Sequence, residues 1–191
     1  MILSPETADE SAYLAADDVI DHGHPLVRQT AALLRSAAPD RAGYARAAFE
    51  FVRDEVTHST DADDPRVTCR ASEVLGERTG ICYAKAHALA ALLRAEGIPA
   101  GLCYQHLGVV HGLVALKLPG HGWARQDPRG NRPGVDARFR LDAEQLAYVP
   151  DHLAGEFDYP TLYAAPPGAV LAALRQAPDR ARLDTTLPVT L

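Results

Sequence analysis

Residues 81 to 96 restrict this chain more than any other stretch. They run Ile81, Cys82, Tyr83, Ala84, Lys85, Ala86, His87, Ala88, Leu89, Ala90, Ala91, Leu92, Leu93, Arg94, Ala95, Glu96. Cys82, Ala86, Leu89 and Leu93 recur at steps of three and four, the spacing of one helix face. Five alanines with Ile81, Tyr83 and Leu92 make eight of the other twelve positions apolar, so such a helix is buried on several sides. Gly97 supplies the stop, and Pro99 just beyond cannot continue the helix. A fold that contains this helix must enclose it with other layers.

The flanking sequence offers those layers. Pro25 to Ala38 reads as a helix, with Pro25 at the first helical position and Leu26, Thr30, Leu33 and Leu34 as its stripe. Asp40 can cap a second helix that runs to about Val56, with Tyr44, Ala47, Ala48, Phe51 and Val52 on its buried face. Thr57 to Pro65 reads as a loop, and Ala71 to Leu75 as one helical turn. After Pro99 the period changes. Ala100–Leu107, His111–Leu118 and Trp123–Asp127 read as strands, turned at Gly108 and at Pro119–Gly122. Asp142–Tyr148 and Ala169–Gln176 look like short helices. Helices followed by an antiparallel sheet make an α+β arrangement. With no internal repeat or linker, the 191 residues fit one domain spanning 1–191.

Charge excludes some partners. The net charge of −6 leaves no basic excess for nucleic acid or an anionic membrane. No apolar run approaches the ~20 residues that span a bilayer. The start, Met1-Ile2-Leu3-Ser4-Pro5-Glu6, lacks a basic and apolar leader. Cys69, Cys82 and Cys103 are too few and too scattered for a secreted disulfide scaffold, although a Cys69–Cys103 bridge stays open. A cytoplasmic location is expected. Neither C-x-x-C nor H-E-x-x-H occurs, so no metal is expected, and no cofactor-binding glycine motif is present. Arg125, Arg129, Arg132, Arg138 and Arg140 form a basic segment. It reads as solvated surface, with recognition of an anionic substrate group as the functional alternative.

Chemistry concentrates at Cys82. In the first turn of a helix, free N–H groups and the helix dipole favour a thiolate, the nucleophilic form. Gly80 leaves room for a substrate backbone. A cysteine nucleophile needs a base, and the base an orienting group. His87, five residues on, points to another side of the helix. His111 opens a strand and Asp127 closes the next one, each eight positions from Pro119. A hairpin centred on Pro119 would set them opposite each other.

Four segments carry a resemblance. Gly80-Ile81-Cys82 resembles the G-x-C motif that opens the core helix of transglutaminase-like proteins. Arg94 through Gly97-Ile98-Pro99-Ala100 is similar to that helix's R-x-x-G-I-P-A ending. His111-Gly112-Leu113 sits where the family has its histidine, and Trp123 through Asp127-Pro128 resembles its W…D-P strand. Ala47 to Asp54 is similar to the preceding helix. The resemblance covers about residues 40–150, with helical and irregular extensions on either side. It implies a papain-like α+β core and a catalytic triad of Cys82, His111 and Asp127. The implied activity is acyl transfer from an amide or peptide through a thioester, by a protease or amidase if water resolves it, or a transglutaminase if an amine does. A silent binding or scaffold protein is the alternative. Where many members have H-x-W, this chain has His111-Gly112-Leu113, and no tryptophan precedes Cys82. The oxyanion donor is therefore expected to be the backbone N–H of Cys82, with Gln105 or His58 as candidates for a second.

Overall fold

The structure is a computed structural model that describes residues 2–191. Strand β1 (Ser4–Pro5) precedes a 3-10 turn at Glu10–Leu14. Helices α1 (Pro25–Ala37) and α2 (Arg41–Glu55), strand β2 (Thr57–His58), helix α3 (Ala71–Glu77) and strand β3 (Thr79–Gly80) lead into helix α4 (Cys82–Ala95). The strands β4 (Ala100–Leu107), β5 (Val109–Lys117), β6 (Trp123–Gln126), β7 (Phe157–Asp158) and β8 (Thr161–Leu162) follow, and helices α5 (Gly168–Gln176) and α6 (Arg180–Asp184) end the chain. The main sheet is antiparallel in the order β6-β5-β4-β7. Two parallel pairs, β1 with β8 and β2 with β3, complete the pairing.

Every residue of α4 from Cys82 to Arg94 is buried. The helix lies between α1, α2 and α3 on one side and β4 and β5 on the other. Alanine at so many positions lets all these neighbours approach closely. Its far end is fixed by Arg94, a buried guanidinium that donates to the carbonyls of Ala15 (2.7 Å), Ala100 (2.7 Å) and Ala164 (2.7 Å). Gly97 at φ 69° reverses the chain there, a backbone region that costs glycine little. The short connection Arg94–Ala100 thus joins helix to sheet and binds both to the N- and C-terminal segments.

Several local expectations are corrected. On α2 the buried side chains are Tyr44, Ala45, Ala48, Phe49 and Val52; Ala47 and Phe51 are only half-buried. The Tyr44 hydroxyl donates to Leu92 O at 2.6 Å and Phe49 packs on Phe139, which sets the helix's rotation. Thr57 and His58 are strand, not loop, because they pair with Thr79 and Gly80. No helix forms at 142–148. There Ala147 N–H goes to the Asp127 carboxylate and Gln145 O accepts from Arg138 N–H, so tertiary partners take groups that a helix would pair internally. Strands β1, β7 and β8 and helix α6 were not legible.

Candidate active site

Cys82 is the first residue of α4, and Ile81 before it offers no side-chain cap. The first-turn N–H groups therefore face the space in front of the helix. That space is a cleft of about 530 Å³ whose walls include His58, Cys82, Val109, His111, Arg129 and Tyr148. A larger depression of about 880 Å³ between α2 and residues 131–143 has no cysteine or histidine in its wall.

Tyr83 sets the distance between helix and sheet. Its hydroxyl donates to Val110 O, one residue before His111. Gly112, one residue after His111, admits the Tyr83 ring: a Cβ there would lie 2.9 Å from Tyr83 Cδ1 and 3.3 Å from Tyr83 Cα. The neighbours of Cys82 and of His111 are thus locked together, and the two reactive side chains follow. The Cys82 sulfur is near enough to the His111 ring to favour its charged form.

His111 Nε2 donates to Asp127 Oδ2 at 2.9 Å. This leaves Nδ1 as the nitrogen for Cys82. The pairing is diagonal, which corrects the expected hairpin. Val114 pairs with Gln126, so one further step places Leu113, not His111, opposite Asp127. The hairpin centre is therefore Gly120 rather than Pro119, and the aspartate reaches back one pleat. His111 also lies inside β5 rather than at its start, because the strand opens at Val109.

Asp127 is fully enclosed. Its Oδ1 accepts the Arg129 N–H at 3.1 Å, and its Oδ2 also accepts the Ala147 N–H at 3.1 Å. Burial alone would push its carboxyl up, but the His111 charge and these three donors hold it below the usual 3.8. For His111, burial would push the ring down. The Asp127 carboxylate first, and the Cys82 thiolate next, overcome that and hold it well above 6.5. Asp136, the other carboxylate of that region, faces Arg138 at the surface instead. The Tyr148 ring stands edge-on to His111 at 5.2 Å and covers it.

The two candidates for a second oxyanion donor part company. Strand β2 pairs His58 with Gly80, which places it in the cleft wall near Cys82. Burial, then the Arg129 charge, push its ring down to about 3, so it is neutral near pH 7. Gln105 stands opposite His111 in the β4–β5 register, but its amide N–H groups are taken by Asp158 Oδ1 (2.9 Å) and Tyr148 O (3.5 Å). It lies behind the histidine, outside the cleft.

The basic segment is not uniformly solvated surface. Arg125 is buried between Glu144 (2.5 Å) and Asp158 (2.5 Å). Arg129 is buried in the cleft wall and grips Asp61 with both terminal nitrogens at 2.6 and 3.0 Å. Both positions are stabilised by ion pairs with partners distant in the chain, Asp158 on β7 and Glu144 and Asp61 on loops. Sequence reasoning also missed Tyr83, Ala147 and Tyr148. Only the Arg129 N–H contact had a local signal, since an Asp bonding the N–H two residues on is an Asx turn.

A thiol, an imidazole and a buried carboxylate in this order can pass a proton from sulfur to nitrogen while the carboxylate steadies the ring. The family model described as the transglutaminase-like superfamily matches residues 28–128, more than half of the chain. The chain belongs to the transglutaminase-like superfamily. Solved structures agree on the fold. A proposed cysteine protease from Cytophaga hutchinsonii superposes with a TM-score of 0.55 at 18% identity, over 64% of this chain and 43% of that one. The periplasmic domain of TgpA from Pseudomonas aeruginosa matches at 0.52 and 26% identity, over 62% of this chain and 46% of that one. The same domain bound to ethylmercury gives 0.51 at 23% identity, over 62% and 48%. The transglutaminase-like chain thus spans less than half the length of these structures. None of the curated proteins matches it. No helix among its described residues is long and apolar enough to cross a membrane.

Proposed function

We propose that the chain is a cysteine-nucleophile acyl-transfer enzyme acting on an amide or peptide bond. The observation that carries this reading is the His111 ring, held by the buried Asp127 at 2.9 Å through Nε2 and sharing a cleft wall with Cys82. In the proposed reaction His111 takes the Cys82 proton, and the sulfur attacks the carbonyl carbon. The Cys82 backbone N–H stabilises the developing oxyanion, and the neutral His58 ring is the second donor in preference to Gln105. The C–N bond breaks as His111 returns the proton to the leaving amine, leaving a thioester. Water then attacks the thioester with His111 as base, regenerating the thiol and releasing the acid. An amine in place of water would make the reaction a transamidation. The cleft wall includes the polar side chains of His58, Thr60, Arg129 and Glu156, which favour admission of water to the thioester and hence hydrolysis.

We place the reaction in the cytoplasm, on the strength of three free cysteines, although the TgpA domain is named as periplasmic. Iodoacetamide at about pH 6, where an unperturbed thiol is almost wholly protonated, tests the reading. Burial pushes the Cys69 and Cys103 thiols up, so Cys82 alone should be alkylated, and His111→Ala should slow it. Equal, slow labelling of all three, or no effect of His111→Ala, would leave a silent scaffold instead.

A further inference from the structure

The residues around the cleft mouth bear on which side chains the substrate carries. Among the described residues, seven large apolar side chains are exposed, and five are Val109, Val149, Leu153, Phe157 and Val189. Val109 and Val149 line the cleft itself, beside Leu107, Val110 and Leu187. Phe157 and Val189 lie off this wall: the Phe157 ring stacks on His106 at 5.0 Å, and His106 Nδ1 bonds to Val189 O at 3.0 Å. The next carbonyl back, Pro188 O, accepts the Val110 N–H at 2.8 Å. Leu153 is wholly exposed on the short turn between Val149 and Phe157. One exposed valine needs no explanation, but Val109 and Val149 share one cleft wall with Leu107, Val110 and Leu187, and an apolar wall of that extent marks a surface that is covered in use.

This wall continues into the site that carries Cys82. Val109 lies two residues before His111 on β5, on the same face of the strand and about 7 Å along it. Whatever covers Val109 while its carbonyl is at Cys82 must therefore be close to that carbonyl. The charged groups nearby are already committed. Arg129 is bound to Asp61, and Asp184 to Arg180 at 2.5 Å. Glu156, in the cleft wall, has only the Asp151 N–H on its carboxylate among the described residues, so it opposes an incoming acid.

We infer that the substrate carries a bulky aliphatic or aromatic side chain beside the carbonyl that Cys82 attacks, seated against Val109 and Val149, and that acidic side chains are rejected at Glu156. This rests on the cysteine-nucleophile reading. Capped amino-acid chloromethyl ketones with Leu, Phe, Ala, Lys or Glu side chains test it. The Cys82 thiolate displaces chloride, a C–S bond replacing the C–Cl bond. Each labelling rate is measured by intact mass and divided by the iodoacetamide rate. Leu and Phe probes should label roughly 10 to 100 times faster than Ala, with Glu slowest. Val109→Ser and Val149→Ser should each shrink the Leu-to-Ala ratio. Equal rates for Leu and Ala, a Lys or Glu probe as fast as Leu, or ratios unmoved by both variants would overturn the inference while leaving a reactive Cys82 in place. If iodoacetamide fails to label Cys82, the acyl-transfer reading fails separately. Fluorescence anisotropy of matched Leu and Ser peptides on the Cys82→Ala protein then decides the apolar wall: tighter binding of the Leu peptide upholds it, and equal binding sinks it.

Discussion

Asp127→Asn is the most informative single change. Three N–H groups converge on the two Asp127 oxygens: His111 Nε2 and Ala147 on Oδ2, Arg129 on Oδ1. An asparagine has one carboxamide oxygen and one NH2. With the NH2 toward Oδ1's place it meets the Arg129 N–H; with the NH2 at Oδ2's place it meets the Ala147 N–H. Either way a buried backbone donor loses its acceptor, which costs about 1–3 kcal/mol. The imidazolium also loses a charge-assisted hydrogen bond worth about 1.5–3 kcal/mol. At about 1.4 kcal/mol per factor of ten, the imidazolium–thiolate pair becomes roughly 10 to 100 times rarer. Urea unfolding followed through Trp123 fluorescence should show the stability loss, and Cys82 alkylation at about pH 6 should slow by that factor. The pH profile should flatten as well. The folded Asp127 titrates below 3.8, so its contribution is present above that pH and lost as acid drives through the folded value. The folded His111 titrates above 6.5, so its contribution is complete below that pH and lost as base drives through the folded value. The pair therefore stabilises most between pH 3.8 and 6.5 in the wild type. A variant within about 0.5 kcal/mol of wild type, the usual spread of neutral surface changes, with unchanged labelling would refute the argument.

Other changes report on the frame. Lys85 Nζ donates to Val56 O and Arg53 O at the end of α2, so Lys85→Met should destabilise by about 1–3 kcal/mol in urea unfolding. Burial pushes this ammonium down to about 7 from 10.5, so the unfolded chain binds more protons between those values. His111 acts in the opposite direction over part of that window, so the comparison isolates Lys85: the stability of wild type minus that of Lys85→Met should rise with pH there, by at most about 1.4 kcal/mol per pH unit. Gly112→Ala puts a methyl against Tyr83 Cδ1 and its backbone, which should cost about 1–3 kcal/mol and slow Cys82 alkylation by displacing α4. Arg94→Lys should lower stability by about 1–3 kcal/mol, well beyond the roughly 0.5 kcal/mol of an ordinary surface change, since one ammonium cannot reach the carbonyls of Ala15, Ala100 and Ala164 together.

The features written in the sequence are those set within a few residues. The buried α4 follows from an all-apolar period with Gly97 and Pro99 behind it, the cap of α2 from Asp40, and the strands from the change of period after Pro99. Cys82 at a helix start and the order of His111 and Asp127 were legible for the same reason. Tertiary structure decided what depends on distant partners. The diagonal reach of Asp127 depends on a register shared by β5 and β6. The closure of its carboxylate depends on Ala147, twenty residues away, whose segment has no helix because its N–H and C=O groups bond elsewhere. Arg125 and Arg129 read as surface charges until strand β7 with Asp158 and the loops bearing Glu144 and Asp61 buried them. A backbone period reports local geometry, whereas a buried polar group is defined by its partner, and partners separated along the chain meet only once it has folded.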